Sequence, residues 1–143
     1  MSNFNDQVIA DFIANGGQPG GYFEGKPVLL LHAIGAKSGV ERTQPLMYLR
    51  ENDTGPWYVF ASYGGAPNNP AWYHNVLAHP DFDISVGDGK TISRLPVRAS
   101  VVEGEDRDTI YARMASLFPQ FADYEKKTTR EAIPVIALTP RAA

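Results

Sequence analysis

The stretch FDISVGDGKTISRLPVRASVV, residues 82–102, holds two strand-length runs on either side of a turn. Residues 82–86 form the first run and residues 91–102 the return. Between them, Gly87-Asp88-Gly89-Lys90 contains Asp-Gly, a dipeptide favoured in two-residue hairpin turns because both residues tolerate positive φ. The segment predicts a β-hairpin turning at Asp88-Gly89, with an antiparallel sheet built outward from it.

Toward the N-terminus, Pro70 precedes residues 71–78, where proline suits the first turn of a short helix. Residues 63–69 are a glycine-rich and proline-rich loop. Residues 42–49 and 57–62 are strand candidates separated by the turn-rich Glu51-Asn52-Asp53-Thr54-Gly55-Pro56. Residues 28–34 make a continuous apolar run of strand length and predict a buried strand, so the first three strands read as an antiparallel meander. Residues 16–25 carry five glycines and a proline, too many for regular structure. Before them, Phe4, Val8, Ile9, Phe12 and Ile13 recur at helical spacing. They predict an amphipathic helix over residues 3–15, with Ser2 as its cap and Asn15-Gly16-Gly17 as its stop. Toward the C-terminus, Ile110, Tyr111, Met114, Leu117 and Phe118 regain the helical period from Glu105 onward. Pro119 interrupts it, and residues 133–138 close the chain as a sixth strand. Turns this short favour antiparallel pairing, so the expected fold is α+β, a small and mainly antiparallel barrel with flanking helices.

The chain has 143 residues, 43% hydrophobic and 20% charged, the size and composition of one domain spanning 1–143. Residues 1–7 are polar, without the cationic start and apolar run of a signal peptide, so the expected compartment is the cytoplasm and no integral membrane segment is expected. With no cysteine, any redox chemistry must come from a bound cofactor. A net charge of -3 argues against general nucleic-acid binding, and an anionic ligand must find locally concentrated cations. The dinucleotide fingerprint and the phosphate-binding loop are both absent.

Three segments can carry chemistry. Gly35-Ala36-Lys37-Ser38-Gly39-Val40-Glu41-Arg42 offers two cations and glycine-freed amides, the material of an anion site or simply of a solvated turn. The run from Ala61 through Gly64-Gly65 to Asn69-Pro70-Ala71-Trp72-Tyr73-His74-Asn75 leads from a strand end to a helix start. There, close backbone approach and unpaired amides suit a flat anionic ligand, with Trp72 and Tyr73 as walls or as core. Phe118, Phe121 and Tyr124 gather around the Pro119 break, forming a lid over a planar substrate or a packed stripe. The three histidines lack metal spacing, so no metal site is expected; His32 reads as a hydrogen-bonded core or site-facing group, and His74 and His79 as helix-surface groups. Ser62 has no histidine and acid in order for nucleophilic catalysis, and the acids at 103–106 read as helix N-terminal charges.

The Lys37 and Arg42 loop, Ala61-Ser62 with Gly64-Gly65-Ala66, Asn69-Pro70-Ala71-Trp72-Tyr73, Phe121-Ala122-Asp123-Tyr124 and Ile133-Pro134-Val135 after Thr129-Arg130-Glu131 together resemble the deazaflavin-dependent nitroreductase family over nearly the whole chain. The resemblance implies a split β-barrel of about six strands over residues 27–139 and a bound coenzyme F420, a deazaflavin with a phosphate and an anionic glutamate tail. By position it implies phosphate contacts from Lys37 and Arg42, cofactor contacts from Ala36 and Ser38 in the same loop, and an adjoining cofactor-contacting strand of Thr43, Gln44, Pro45, Leu46 and Met47. Phe60, Ala61, Ser62 and Tyr63 then lie against the ring, with Phe121 beside it. Ala71, Trp72, Tyr73, His74 and Asn75 supply contacts from the helix start.

Ser62 and Tyr124 are the catalytic candidates, polarising a small-molecule acceptor or guiding its protonation. The implied activity is hydride transfer from reduced deazaflavin to a quinone, enone or nitro compound. An FMN-dependent reductase on the same barrel and a non-catalytic F420 carrier are the alternatives. Family members carry lysine where Tyr63 stands, tyrosine where Met47 stands and tyrosines in place of Phe118 and Phe121, differences that bear on acceptor choice. A monomer or homodimer is expected, with the N-terminal helix either capping the site or meeting a membrane surface peripherally.

Overall fold

The computed structural model describes residues 3–141; the expected Ser2 cap lies outside them. Six strands, β1 (Val28–Ile34), β2 (Glu41–Leu49), β3 (Trp57–Phe60), β4 (Asp81–Gly87), β5 (Ile92–Val102) and β6 (Val135–Pro140), pair antiparallel throughout. They close in the order β1-β2-β3-β6-β5-β4, the split β-barrel the motifs implied. Four helices surround it: α1 (Asn3–Ala14), α2 (Ala71–Ala78), α3 (Gly104–Leu117) and α4 (Gln120–Lys127).

The first three strands do form a meander, but β6 then inserts between β3 and β5. Closure comes from the second edge of β1, where Leu30, Leu31 and His32 pair with Ser85, Ile84 and Asp83. β1 is a continuous apolar run because both its faces are covered. Leu29, Leu31 and Ala33 join Trp57, Val59, Ile84, Val97, Ile136 and Leu138 inside the barrel. Val28 and Leu30 instead meet Phe12 of α1, Tyr111 and Met114 of α3 and Phe121 of α4 in a second layer. A strand buried on both sides loses the polar alternation of a half-exposed one.

Three local expectations shift. The β4–β5 turn is a two-residue turn, but its centre is Gly89-Lys90 instead of Asp88-Gly89: the Asp88 amide donates to the Thr91 carbonyl at 3.1 Å. The Asp88 carboxylate accepts the Lys90 and Thr91 amides at 2.8 and 2.7 Å, so Asp88 closes the turn with its side chain and leaves the positive φ of 93° to Gly89. Pro119 interrupts the helical period as expected, α3 ending at Leu117, but helix resumes at once where none was expected: the φ of -56° at Pro119 suits a first turn and α4 starts directly after it. The last strand starts at Val135, two residues late, because the Ile133 carbonyl accepts from the Arg107 guanidinium at 3.1 and 3.0 Å and the Pro134 carbonyl from the Ala61 amide. Glu105 and Asp106 occupy the first turn of α3, as read from the sequence.

Candidate functional site

The β1–β2 connection folds on itself before it can present anything. The Gly35 amide donates to Val40 and the Gly39 amide to Gly35, at 2.9 and 3.0 Å, with Gly39 at a φ of 72°. The Ser38 hydroxyl accepts the Val40 amide at 3.1 Å and lies so near that a Cβ on Gly35 would stand 2.5 Å from it. The Ala36 amide donates to Asn75 Oδ1 at 3.0 Å, which ties the loop to α2. Together they enclose a cavity of about 570 Å³ lined by Gly35, Ala36, Lys37, Ser38, Arg42, Ala71, His74 and Asn75.

Ala71 also borders a second cavity of about 350 Å³, whose walls include Asn5, Gln44, Leu46, Phe60, Ser62, Tyr63, Gly64, Pro70 and Trp72. Leu46, Phe60 and Ser62 in turn border a third, of about 150 Å³, with Tyr22, Phe23, Pro45, Met47, Gln120, Phe121 and Tyr124. Shared walls join the three into one groove running from the β1–β2 loop, along the β2 and β3 ends, to α4.

The turn after β3 is held in an uncommon shape. Tyr63 has a φ of 47°, the only positive value among the described non-glycine residues, a conformation that costs a side-chain-bearing residue about 1–2 kcal/mol. Gly64 and Gly65 follow at 63° and 83°, and a Cβ on Gly65 would stand 2.9 Å from the Tyr124 carbonyl oxygen. Arg130 fastens this turn from outside. Its guanidinium donates to the carbonyls of Ala61 and Ser62 at 2.8 and 2.7 Å, to Asn69 Oδ1 at 2.5 Å and to Thr128 Oγ1 at 2.9 Å.

Cations are paired unevenly across the protein. Arg94, Arg98, Arg107, Arg113 and Arg141 each face a carboxylate. Among the described residues no acid pairs with Lys37 or Arg42, so both remain available to an anion. At the other end burial pushes the Tyr124 hydroxyl above its ordinary value, with the Tyr22 hydroxyl beside it as the next cause. Tyr124 is therefore protonated at neutral pH and serves as a donor.

Most of the site expected from the sequence converges on this groove. Ala36, Lys37, Ser38, Arg42, Ala71, His74 and Asn75 gather at one end. Gln44, Leu46, Phe60, Ser62, Tyr63 and Trp72 line the middle, and Pro45, Met47, Phe121 and Tyr124 the far end. Trp72, Phe60, Met47 and Phe121 are themselves buried and offer only edges.

Three expected residues stand off the walls. Thr43 alternates outward from Gln44 and its hydroxyl meets His32 Nδ1 at 3.2 Å, Ala61 is fully buried in the barrel core, and Tyr73 packs partly buried against that core. Phe118 packs in the second layer instead of facing the groove. Asn5, Tyr22, Phe23 and Gln120 line the groove without having been singled out. Asn5, Tyr22 and Phe23 arrive from the N-terminal segment, where no local pattern shows what they will face. Among the described residues no group of three His, Asp or Glu side chains is placed to hold a metal ion, and no helix is long and apolar enough to cross a membrane.

A closed antiparallel barrel with an anion-receptive loop at one end of a groove and a tyrosine-bearing pocket at the other defines a split-barrel reductase of the flavin and deazaflavin kind. A family model described as F420H(2)-dependent quinone reductase matches residues 7–140. An F420H(2)-dependent quinone reductase of Mycobacterium tuberculosis is 40% identical over 120 residues, 80% of this chain and 74% of that protein. The solved structure of an F420-H2 dependent reductase, FDR-A, superposes with a TM-score of 0.67 at 39% identity, covering 78% of this chain and 93% of its own. A second solved structure, described only as a domain-swapped dimer, gives 0.65 at 39% identity over 78% of this chain and 79% of its own. The chain belongs to the F420H(2)-dependent quinone reductase family, and is an oxidoreductase whose cofactor is coenzyme F420. The residues present fit that group: two uncommitted cations suit its phosphate, and the middle of the groove, with Leu46, Phe60 and Trp72 beside the polar Gln44 and Ser62, suits a ring that carries polar edges.

Proposed function

We propose that the chain, working as one catalytic unit over residues 1–143, reduces a quinone in the cytoplasm with F420H2 as donor, and accepts enones or nitro compounds of similar size. One observation supports this above the others: the groove joins an end with two unpaired cations to a 150 Å³ end that presents a protonated tyrosine. When bound, F420H2 supplies the hydride. Lys37 and Arg42 would hold its phosphate, with Ala36 and Ser38 completing the turn around it. Arginine offers a planar fork and lysine a point charge, so the two together fix position as well as affinity. Gln44, Leu46, Phe60 and Tyr63 would border the ring, and the α2 residues Ala71, His74 and Asn75 would close the end that Lys37 and Arg42 occupy.

The acceptor sits between Ser62 and Tyr124. Their hydroxyls polarise its oxygen and set the angle of approach, which accounts for much of the catalysis when no protein nucleophile takes part. Two electrons and one proton arrive as hydride, and a second proton completes the hydroquinone. Tyr124 is placed to guide that proton. Met47 and Phe121 leave the acceptor end with fewer hydroxyls than tyrosines would, and a changed buried donor shifts acceptor preference by about 1–3 kcal/mol. Exposed aromatic rings at Phe4 and Tyr22 offer a lipid-soluble acceptor a path in from a membrane surface.

Fluorescence titration with F420 is the deciding measurement. The native protein should bind in the micromolar range or tighter and oxidise F420H2 only when an acceptor is present. Lys37→Ala combined with Arg42→Ala should weaken F420 binding at least a hundredfold, at about 1.5–3 kcal/mol for each charge-assisted contact. Unchanged affinity in that variant refutes the phosphate assignment. A yellow purified protein carrying FMN would favour the FMN reading, and tight F420 binding without reduction of quinones, enones or nitroarenes would make the chain a carrier. Sedimentation distinguishes a monomer from a homodimer.

A further inference from the structure

Gln120 opens α4 and lines the 150 Å³ cavity together with Ser62, Met47 and Tyr124. Its carboxamide is poorly partnered there. Nε2 lies 3.4 Å from the Tyr124 hydroxyl and 4.0 Å from the Met47 thioether sulfur. The first contact is long, since amide-to-oxygen hydrogen bonds centre on about 2.9–3.0 Å. The second uses a weak acceptor. A half-buried amide donor that faces a cavity and holds only a long bond and a thioether gains from any carbonyl oxygen that enters.

The cavity is matched to one ring, since a site of roughly 150 Å³ takes a benzene-sized guest. Its side-chain polar groups come from two walls. Ser62 follows β3, while Gln120 and Tyr124 stand one turn apart on α4. We infer that Gln120 is a specificity-determining residue that donates its amide to the second carbonyl oxygen of a para-quinone whose first carbonyl is held between Ser62 and Tyr124. The inference rests on the proposed quinone reduction and adds the feature that is recognised: two oxygens at opposite ends of one ring. An enone or a nitro compound carries its oxygen at a single end and leaves Gln120 as it is in the free protein. Met47 supports the selectivity by filling the adjacent wall without competing strongly for the amide hydrogens.

The test compares Gln120→Leu, which keeps the bulk and removes the donor, with Gln120→Glu, which keeps the shape and puts an acceptor where the donor stood. The probes are 2-methyl-1,4-benzoquinone and 2-cyclohexenone, each a single ring, with F420H2 as donor. In both variants the ratio of kcat/KM for the quinone to that for the enone should fall about tenfold, mostly through KM, while F420 affinity by fluorescence stays within twofold of native. Equilibrium binding of the benzoquinone to the protein loaded with oxidised F420 should weaken by the same factor, a readout that requires no turnover. An unchanged ratio and unchanged quinone binding, an equal loss on both acceptors, or a loss of F420 affinity overturns the assignment of Gln120. Weakened quinone binding in the variants of a protein that reduces no quinone overturns the proposed reaction and leaves the Gln120 contact standing.

Discussion

Arg130 is the residue on which the shape of the groove depends most. It lines none of the three cavities itself, yet its guanidinium occupies the carbonyls of Ala61 and Ser62, the Asn69 amide oxygen and the Thr128 hydroxyl. Without it, those acceptors on the turn that presents Ser62 and Tyr63 would lose their donor. Arg130→Met should lower stability by about 2–3 kcal/mol in urea denaturation and weaken F420 binding through the loosened turn. Arg130→Lys should recover little, because an ammonium cannot serve so many acceptors in a fork-like arrangement. Full recovery with lysine would show that only charge matters. Arg130 was legible only as part of a motif; its partners Ala61, Ser62 and Asn69 lie more than sixty residues away, beyond anything local spacing encodes. Lys37 and Arg42 were legible because two cations in one glycine-bounded loop are a local signal.

At the scale of elements, the β3 turn and α4 act as one piece. Gly65 sits against the backbone of α4, with an added Cβ 2.9 Å from the Tyr124 carbonyl oxygen and 3.1 Å from Lys127 Cβ. Its neighbour Gly64 has similar φ but open space around it. Gly65→Ala should therefore cost about 1–3 kcal/mol from strain and overpacking combined, and should reduce acceptor turnover by displacing Tyr124. Gly64→Ala should show only the smaller backbone cost. Equal effects at the two positions, read by thermal unfolding and steady-state rates, would contradict the packing argument. The existence of most elements was readable from period and punctuation, since β1 is a continuous apolar run and α2 opens after a proline. α4 was not, because a proline that ends one helix can equally begin the next, and only the packing of Phe121 against Phe60 and Tyr111 selects the second outcome.

For the whole molecule, barrel closure runs through His32. It is paired in register with Thr43 of β2 and with Asp83 of β4, so it spans the seam where β1 joins both neighbours. Nε2 meets the Ser85 hydroxyl at 2.7 Å and Nδ1 the Thr43 hydroxyl at 3.2 Å, contacts that suit a neutral ring with one donating and one accepting nitrogen. Burial first, and then the Arg94 guanidinium, hold its pKa below the ordinary 6.5, against the opposing pull of Glu41 and Asp83. The unfolded chain thus takes up its proton first as pH falls, so this contribution to stability is complete above about 6.5 and is lost as pH drops toward the folded value. Urea midpoints should fall between pH 7.5 and 5.5, and His32→Gln should flatten that dependence; an unaltered slope would show that other groups carry it.

The sequence by itself determined most of the strands and the antiparallel hairpins, which depend on periodicity and turn chemistry within short spans, and the family, which depends on the order of motifs along the chain. Only the tertiary structure decided that β6 enters between β3 and β5, that Thr43 turns away from the groove toward His32, and that Gln120, Tyr22 and Asn5 turn toward it. Those outcomes depend on which distant surfaces exclude water together. Burial is gained only when the barrel closes and the helices cover it, and it carries no signature in the neighbours of any one residue.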